Sequence, residues 1–316
     1  MPRDFLHNHK DFADLIRIVA EEKGIDPALV EKDYWIMHCL YGLQQLGFTF
    51  QLKGGTSLSK GHHIIGRFSE DIDILIEPPA GRDVKTGKNH DKPAHIQSRK
   101  DFFDWLAQTI KIDGIAKVER DTAFDDVPDY RNAGIRLIYT SITAPMDGLR
   151  DGVLLEAGFD KATPNSPKDI GSWLYDRANA SKVDIIDNRA KAVPCYDPGY
   201  TFVEKLQTIS TKFRHQQGDG SDPVGFMRHY YDVHELLQRP EVQKFVGTEE
   251  YKQHKQKRFR QGDNQNISEN EAFLLSDANT KALYARAYER SSALYYGSKP
   301  TFEQMLAEIK KWVGKL

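Results

Sequence analysis

The chain has 316 residues, with 44 Lys and Arg against 46 Asp and Glu, a formal net charge of −2 and 39% hydrophobic residues. This balance predicts a soluble globular protein and excludes a disordered chain, a globally basic nucleic-acid binder and a membrane-spanning helix of roughly 20 apolar residues. Two distant cysteines without a CxxC pair, and an N-terminus without an apolar signal-peptide core, predict a cytoplasmic protein without a cysteine-rich zinc site.

The N-terminal part of the sequence alternates between helix and strand patterns. An amphipathic pattern predicts a first helix, and Asp26 followed by Pro27 is typical of the cap and first position of a second helix. The alternating runs FTFQLKG and DIDILIEP predict two strands around a short helix at about 56–63. A helix at 94–110 precedes the strand-like runs IAKVERD, GIRLIYT and GVLLEAGF, and KVDIID at 182–187 is expected to close the sheet. This order predicts an α+β fold with a mixed or antiparallel sheet.

From about Tyr200 the sequence shows helical patterning without strands, in EKLQTISTKF, MRHYYDVHELLQ, ALYARAYERSSALYY and TFEQMLAEIKKWV. This change predicts two domains, one of residues 1–197 and a helical one of residues 198–316. A polar stretch near 250–270 has no clear pattern and carries a run of basic residues. Such a run is typical of a solvated loop and less often of a patch that contacts phosphate. Its members are Lys252, Lys255, Lys257, Arg258 and Arg260.

The segment KGGTSLSKG places two glycines at the predicted end of a strand. It does not match the P-loop template GxxxxGK[ST], because Ser59 precedes Lys60 and Gly61 follows it. The glycines still free the backbone N–H groups, and a helix that begins at a Thr-Ser pair offers uncapped donors to an anion. The residues alone leave two interpretations, an anion-binding loop and an ordinary turn.

Asp71 and Asp73 lie two positions apart within an apolar run. Because side chains alternate along a strand, both carboxylates face one side, roughly 7 Å apart, while Ile72, Ile74 and Ile76 face the other. Two like charges in an apolar strand repel each other unless a cation lies between them, and oxygen ligands suit Mg²⁺ or Mn²⁺. The alternative is an exposed edge strand with acidic solvent-facing positions.

A GG-[TS] loop, a helix and an Asp-x-Asp strand in this order resemble the nucleotidyltransferase superfamily, whose fold is like that of DNA polymerase β. The longer motif GGTSLSKG…RFSEDIDILI more closely resembles the AbiEii/AbiGii (MenT-like) toxin branch of this superfamily. EKDYWI at 31–36, EKLQTI at 204–209 and RHYYDVHEL at 228–236 add to the resemblance, which covers about residues 25–240. It implies a nucleotidyltransferase-fold mixed sheet flanked by helices, with a helical C-terminal domain.

The resemblance implies a metal site made of three carboxylates. Asp71 and Asp73 would hold Mg²⁺ or Mn²⁺, and a third acidic residue is expected on a neighbouring strand. Glu156 in GVLLEAGF is the main candidate, because it is the only acidic residue inside an apolar strand-like run. It would hold the catalytic metal and assist deprotonation of the acceptor. Glu119 and Asp184, in more polar runs, are the alternatives.

The resemblance also implies a set of residues that contact the triphosphate. Lys205 matches the helical lysine of the family and Asp232 its downstream aspartate, but Asp232 also lies four positions after Arg228, the spacing of a helix ion pair. Arg67 would contact phosphate or orient a carboxylate. The residues expected to cradle the phosphates are those of the glycine loop, Gly54, Gly55, Thr56 and Ser57.

The implied function is that of a metal-dependent nucleotidyltransferase toxin, which moves a nucleoside monophosphate from an NTP to an acceptor hydroxyl and releases pyrophosphate. By resemblance the acceptor is an RNA such as tRNA, and the protein is the toxin of a toxin–antitoxin or phage-exclusion system with an antitoxin encoded nearby. The alternatives are transfer to a protein or small molecule, and a non-catalytic module that binds NTP or RNA. The intact loop and both aspartates argue against the non-catalytic module.

Overall fold

The structure, a computed structural model, describes residues 3–316 and divides into two compact units. The first unit comprises the described residues up to His62 together with Ser69–Tyr196. The second unit comprises His63–Phe68 together with Asp197–Leu316. The sequence predicts two domains that are each continuous. The structure differs in the short segment His63–Phe68, which belongs to the second unit although it interrupts the first.

The first unit is built around a seven-stranded sheet. Its strands are β1 (Phe50–Lys53), β2 (Asp71–Ile76), β3 (Ile115–Asp121), β4 (Asn132–Tyr139), β5 (Val153–Gly158), β6 (Asn165–Ile170) and β7 (Ala190–Tyr196). Their spatial order is β3-β4-β5-β2-β1-β7-β6, in which β2 runs antiparallel to β1 and parallel to β5. The sheet is therefore mixed, and the predicted α+β class is confirmed.

β2 lies in the middle of the sheet, between β1 and β5. Ile72 and Ile74 are completely buried, whereas Asp71 and Asp73 are half-buried on the opposite face. A slip of one residue would bring both carboxylates into the core, so the burial of one face specifies this register. The alternative of an exposed edge strand is wrong.

The strand predicted in KVDIID is also wrong, because residues 182–187 have no regular structure. The strands that complete this side of the sheet are β6 and β7, which the sequence analysis does not predict. Each contains a proline, which lacks the N–H that a strand residue donates and therefore argues against a strand in a sequence. Pro167 and Pro194 lie opposite each other in the antiparallel register, which confines both missing donors to one point of the ladder.

The α-helices of the first unit are α1 (Phe12–Lys23), α2 (Pro27–Gln45), α3 (Gly54–Thr56), α4 (Pro93–Thr109) and α5 (Trp173–Ala180). The start of α2 is confirmed, since the Asp26 carboxylate accepts the N–H of Ala28 and Pro27 is the first helical residue. α2 is buried along almost its whole length, including the charged residues Glu31, Lys32 and Asp33. These three residues of the EKDYWI motif therefore need partners inside the protein.

The second unit is helical. Its α-helices are α6 (Pro198–Asp219), α7 (Val224–Leu237), α8 (Pro240–Phe245), α9 (Glu249–Arg258), α10 (Glu271–Leu274), α11 (Ala278–Arg290) and α12 (Phe302–Trp312). α9 occupies the first part of the stretch 250–270, where the sequence shows no helical pattern because Tyr251 is the one buried residue of this helix. α11 ends at Arg290, before the end of the predicted pattern ALYARAYERSSALYY. Within residues 3–316, none of the helices has the length and apolar character needed to cross a membrane.

The segment His63–Phe68 is held to the end of the second unit by backbone hydrogen bonds. The N–H of Phe68 donates to the carbonyl of Leu294 at 2.7 Å, and the N–H of Tyr296 donates to that of Gly66 at 2.9 Å. A Cβ on Gly66 would lie 2.8 Å from the Cα of Gly297, so these two backbones approach too closely for a side chain on Gly66. Local periodicity cannot predict this pairing, because the partners lie more than 200 positions apart.

Candidate active site

Three carboxylates of the first unit lie on one face of the sheet. In the parallel register of β2 and β5, Asp73 is paired with Glu156 and Asp71 with Leu154. Paired residues of neighbouring strands point to the same face, with backbones about 4.8 Å apart. Asp71, Asp73 and Glu156 are all half-buried, while Leu155 and Ile72 on the other face are completely buried. The structure therefore places Glu156 beside the Asp-x-Asp pair.

The two alternatives for the third carboxylate lie elsewhere. Glu119 is on the edge strand β3, separated from β2 by β4 and β5, and its carboxylate pairs with Lys117 at 2.5 Å. Asp184 lies outside the sheet, is largely exposed and pairs with Arg3 at 2.5 Å. The register of β3, β4 and β5 places Glu119 on the same face as Asp71 but three strands away from β2, and Asp184 lies outside the sheet. Of the three candidates, Glu156 alone fits the position that the fold requires.

The glycine loop is in contact with the aspartate strand. Gly54 has a φ of +71°, and a Cβ at this position would lie 2.1 Å from Oδ2 of Asp73. A side chain is therefore excluded by both the backbone conformation and the space. The Thr56 hydroxyl donates to the backbone carbonyl of Asp71 at 2.6 Å, so the hydroxyl is used inside the protein. Thr56 consequently offers its backbone N–H, rather than its hydroxyl, to a ligand.

The predicted helix at 56–63 begins and ends two residues earlier than expected, and its second half is wider than an α-helix. α3 continues into a π-helical turn, Ser57–Gly61, which is closed by the hydrogen bond from the N–H of His62 to the carbonyl of Ser57. Such wide turns occur often at functional sites. The Ser57 hydroxyl is completely buried beside the Cys195 thiol, but the pair lacks hydrogen-bond geometry and the hydroxyl has no partner among the described residues. An orphaned hydroxyl in the loop is what a ligand-binding position would leave open.

Lys60, at the end of the same loop, is held by a buried ion pair. Its ammonium lies 2.5 Å from Oδ1 of Asp33 on α2 and 4.2 Å from the centre of the Trp173 ring at the start of α5. The other carboxylate oxygen of Asp33 accepts the N–H of Trp173 at 2.9 Å. Burial lowers the pKa of Lys60, and Asp33 opposes this change. Lys60 therefore anchors the loop, a role that the spacing of KGGTSLSKG does not reveal.

The other two charged residues of the EKDYWI motif also have long-range partners. Lys32 donates to Oε2 of Glu70 at 3.2 Å and to the carbonyl of Arg150 at 2.5 Å, and its charge acts on the neighbouring Asp71. Burial lowers the pKa of Lys32, against the effect of Glu70. Glu31 accepts four hydrogen bonds from residues 141–143. The sequence analysis gives these residues no role, since their partners are distant in the chain.

The remaining predicted site residues form a separate cluster within the second unit. Asp232 on α7 is completely buried and accepts two hydrogen bonds from Arg67, at 2.6 Å from Nε and 2.7 Å from Nη2. Its Oδ2 also lies 2.9 Å from the ammonium of Lys205 on α6. Burial opposes ionisation of Asp232, but Arg67 and Lys205 outweigh it, so the pKa of Asp232 is held well below its usual range. Two buried cations thus share one carboxylate.

This cluster decides between the interpretations of Arg67 and Asp232. Arg67 orients a carboxylate: two of its nitrogens bind Asp232 and the third donates to the carbonyl of Phe68 at 3.0 Å. The predicted pair of Asp232 with Arg228 on the same helix is wrong, because Asp232 binds Arg67 and Lys205 instead. Burial lowers the pKa of Lys205, against the effect of Asp232. The cluster contains two cations and one carboxylate. Because Arg67 already binds both oxygens of Asp232, Lys205 is the cation whose charge an anionic ligand would neutralise.

The carboxylate face fits Mg²⁺ or Mn²⁺ by the chemistry of its donors. Asp71, Asp73 and Glu156 supply hard oxygen ligands on one face, and Gly54 leaves room at Asp73 that a Cβ would fill. Across residues 3–316 no group of three His, Cys, Asp or Glu side chains has converged to ligand geometry. The residues present thus suit the ion, and their side chains share a face without forming a finished cage.

One family model matches the chain, over residues 38–308, and its description is nucleotidyl transferase AbiEii toxin, type IV toxin–antitoxin system. A search of curated proteins finds no match. The family match begins after the EKDYWI motif and extends well beyond residue 240, so the resemblance predicted from the motifs is too long at the N-terminus and too short at the C-terminus. The match covers most of the sequence, and the chain belongs to the AbiEii family of nucleotidyltransferase toxins of type IV toxin–antitoxin systems.

Proposed function

We propose that the protein transfers a nucleoside monophosphate from an NTP to an acceptor hydroxyl on RNA, with tRNA as the expected acceptor, and releases pyrophosphate. The observation that carries this proposal is the register of β2 and β5, which aligns Glu156 with Asp73 on the face that also holds Asp71. The contact of Gly54 with Asp73 adds a loop whose backbone donors lie next to these carboxylates. The backbone N–H groups that would donate hydrogen bonds to phosphate therefore lie in the same unit as the carboxylates that would hold the metal.

The carboxylates and the glycine loop of the first unit have different roles in the proposed reaction. Mg²⁺ or Mn²⁺, held by Asp71, Asp73 and Glu156, would supply charge neutralisation at the phosphates and activation of the acceptor hydroxyl. Glu156, which is paired with Asp73 in the register of β2 and β5, is the base that accepts the proton of the acceptor hydroxyl. The N–H groups of Gly55 and Thr56, with the Ser57 hydroxyl, hold the triphosphate in place. Little covalent work is left to the protein, so positioning dominates the rate.

Two residues of the second unit enter the proposal with different roles. Lys205 neutralises triphosphate charge, a role supported by the family resemblance and by the surplus of buried positive charge around Asp232. Asp232 does not contact the substrate in this proposal. It stabilises the two cations, because without it both Arg67 and Lys205 would be buried without a counter-charge.

Membership in the family implies an antitoxin partner. We propose that this antitoxin is encoded near the toxin gene, and that it counteracts the transfer reaction. Co-expression tests this point. Expression of the toxin alone arrests growth, expression of Asp71→Asn does not, and co-expression with the neighbouring gene restores growth. Growth arrest by Asp71→Asn as strong as that by the wild type would contradict a toxicity that depends on transfer.

The enzymatic proposal is tested with NTPs labelled at the α-phosphate, total RNA and Mg²⁺. The expected result is label in RNA with the wild type and none with Asp71→Asn or Asp73→Asn, together with pyrophosphate release in a coupled assay. The matched control is Glu119→Gln, which removes a carboxylate from the same sheet outside the proposed site and keeps the activity. Label on protein instead of RNA would overturn the acceptor, and NTP binding without transfer to RNA, protein or an aminoglycoside would overturn the reaction.

A further inference from the structure

The second unit contains a cavity of about 470 Å³ that the proposed reaction does not use. It lies between α9, the turn at 265–266 and the segment Lys315–Leu316. The polar side chains in its lining are cations or neutral amides, apart from the Tyr251 hydroxyl, and neither Asp nor Glu is among the lining residues. They are Lys252, Lys255, Lys315, Gln256, Gln265 and Asn266.

One of the three lysines is fixed at the base of this lysine cavity. The Lys255 ammonium donates to the backbone oxygen of Leu316, which also accepts the hydroxyl of the buried Tyr251 at 2.7 Å. Burial lowers the pKa of Lys255, which is the expected response of a cation held partly away from water. Lys255 therefore shapes the base of the cavity and has already found an acceptor.

The other two lysines are available to a ligand. Lys252 and Lys315 are exposed, and neither forms an ion pair with any residue from 3 to 316. Lys252 lies one helical turn before Lys255, on the same side of α9. An anion at the cavity would meet the two exposed ammonium groups and accept hydrogen bonds from the amides of Gln265 and Asn266 in the lining.

The five members of the basic run near 250–260 have different surroundings in the structure. Arg258 is bound by Glu204 at 2.7–2.8 Å and is not free for a ligand. Lys257 and Arg260 are exposed but lie outside the lining of the cavity. Lys252 and Lys255 face the cavity. The expected loop is wrong for all members of the run except Arg260, since the others lie on α9, and Lys252 and Lys255 also line a concave surface.

We propose that this lysine cavity binds the phosphodiester backbone of the RNA acceptor; the choice of RNA rests on the proposed function. Flexible lysines and neutral amides recognise phosphate oxygens without reading a sequence, whereas a closed site for one small anion would use converging, preorganised donors such as arginine forks. The exposed lysines and the concave shape suit a chain of phosphates that passes across the surface. Such contacts supply affinity and position rather than specificity.

The test compares two double variants that remove the same charge. Lys252→Gln/Lys315→Gln alters the cavity, and Lys244→Gln/Lys257→Gln removes two exposed lysines of the same unit outside it. Binding of a fluorescent RNA hairpin with a single-stranded 3′ end is followed by anisotropy without divalent metal, from about 50 to 200 mM KCl. In the plot of log K against log salt, the cavity variant flattens the slope by about one to two units. The control variant keeps the wild-type slope within error, and both keep the wild-type thermal midpoint.

Three outcomes overturn the proposal for the cavity. The first is an equal change of slope in both variants, which would indicate general electrostatics. The second is an unchanged slope in the cavity variant. The third is a result with pyrophosphate in thermal unfolding: it raises the thermal midpoint of the wild type but not of the cavity variant, while the cavity variant binds RNA as the wild type does. This result would assign the cavity to a small anion. Asp73→Asn separates this proposal from the proposed function, because this variant keeps the wild-type salt dependence of RNA binding and loses transfer. If the wild type binds RNA in this way but transfers nothing, the proposed reaction is overturned and the proposal for the cavity is not.

Discussion

The carboxylates of the first unit and the ion-pair cluster of the second unit are assembled in different ways. Backbone register places Asp73 and Glu156 side by side, and both carboxylates stay half-buried. In contrast, side-chain hydrogen bonds assemble the cluster of Arg67, Lys205 and Asp232, which is almost completely buried. Residues placed by the backbone can be changed without loss of the fold, whereas a buried ion-pair cluster depends on each of its members.

This difference has a physical origin in how each site balances its charge. The carboxylate face gathers three acidic side chains on one side of the sheet, where Lys53 lies opposite Asp73 and Lys32 acts on Asp71, and its carboxylates are the hard oxygen ligands that a divalent cation takes. The Asp232 cluster contains its own counter-charge and is stable without a ligand. The first site is therefore built for binding, and the second for support, with Lys205 as the member that carries surplus charge.

The largest expected effect is on the rate of transfer, from Glu156→Gln. Removal of the proposed base lowers the rate by on the order of 10²–10⁴-fold, while the free energy of unfolding stays within about 1 kcal/mol of the wild type, because Glu156 is only half-buried and the amide keeps its size. Single-turnover transfer of labelled NTP to RNA and urea unfolding measure the two quantities. Glu119→Gln is the control, and equal activity of the two variants would reject the role of Glu156.

Asp232→Ala is expected to have the opposite signature. It leaves Arg67 and Lys205 buried without their shared carboxylate and lowers the free energy of unfolding by about 3–5 kcal/mol. Urea unfolding followed by circular dichroism measures this loss. The matched control is Asp222→Ala, which removes an exposed carboxylate that pairs with Arg290 and accepts the N–H of Val224, and its loss of stability is expected to be much smaller. Similar losses for both variants would refute the distinction between the two regions.

Gly54→Ala tests how far the backbone places the carboxylate. The substitution strains a residue with φ of +71° and forces a Cβ against Oδ2 of Asp73, at an expected cost of about 1–3 kcal/mol together with a loss of transfer. Gly24→Ala is the control, since it has a φ of +63° and open space around its Cβ position. The excess cost of Gly54→Ala over Gly24→Ala measures the contact with Asp73, and this excess disappears in the Asp73→Gly background. An excess that persists there would show that the contact is not its cause.

Sequence reasoning predicts the first region far better than the second. The alternation in DIDILIEP predicts which side chains of this strand share a face, and the apolar run around Glu156 predicts that it lies on a strand. Both predictions need only local periodicity, and the register of β2 and β5 agrees with them. The partner of Asp232 is Arg67, 165 positions away, whereas a helical spacing rule predicts Arg228 instead. The contacts of Lys60 and Lys32 escape prediction for the same reason. Long-range ion pairs depend on which side chains the tertiary fold brings together, and a single sequence contains no periodic signal for them.

The smallest effect is a pH dependence that arises from the buried Asp232 cluster. Arg67 and Lys205 hold the pKa of Asp232 well below the unfolded value of about 3.9, so ionised Asp232 stabilises the folded state above that value, and the contribution is lost as the pH falls through and below it. The amide introduced by Asp232→Asn does not titrate, so the difference in unfolding free energy between wild type and this variant narrows between about pH 5 and pH 2. Burial keeps the pKa of the neighbouring His229 well below its usual range, so this histidine takes up a proton on unfolding and lowers the stability of wild type and variant below about pH 6.5. The difference between the two proteins, rather than either stability curve, therefore reports on Asp232. Urea unfolding at each pH measures the difference, with Asp73→Asn as the comparison from the first region. A gap that stays constant with pH would show that Asp232 does not stabilise the fold through its charge.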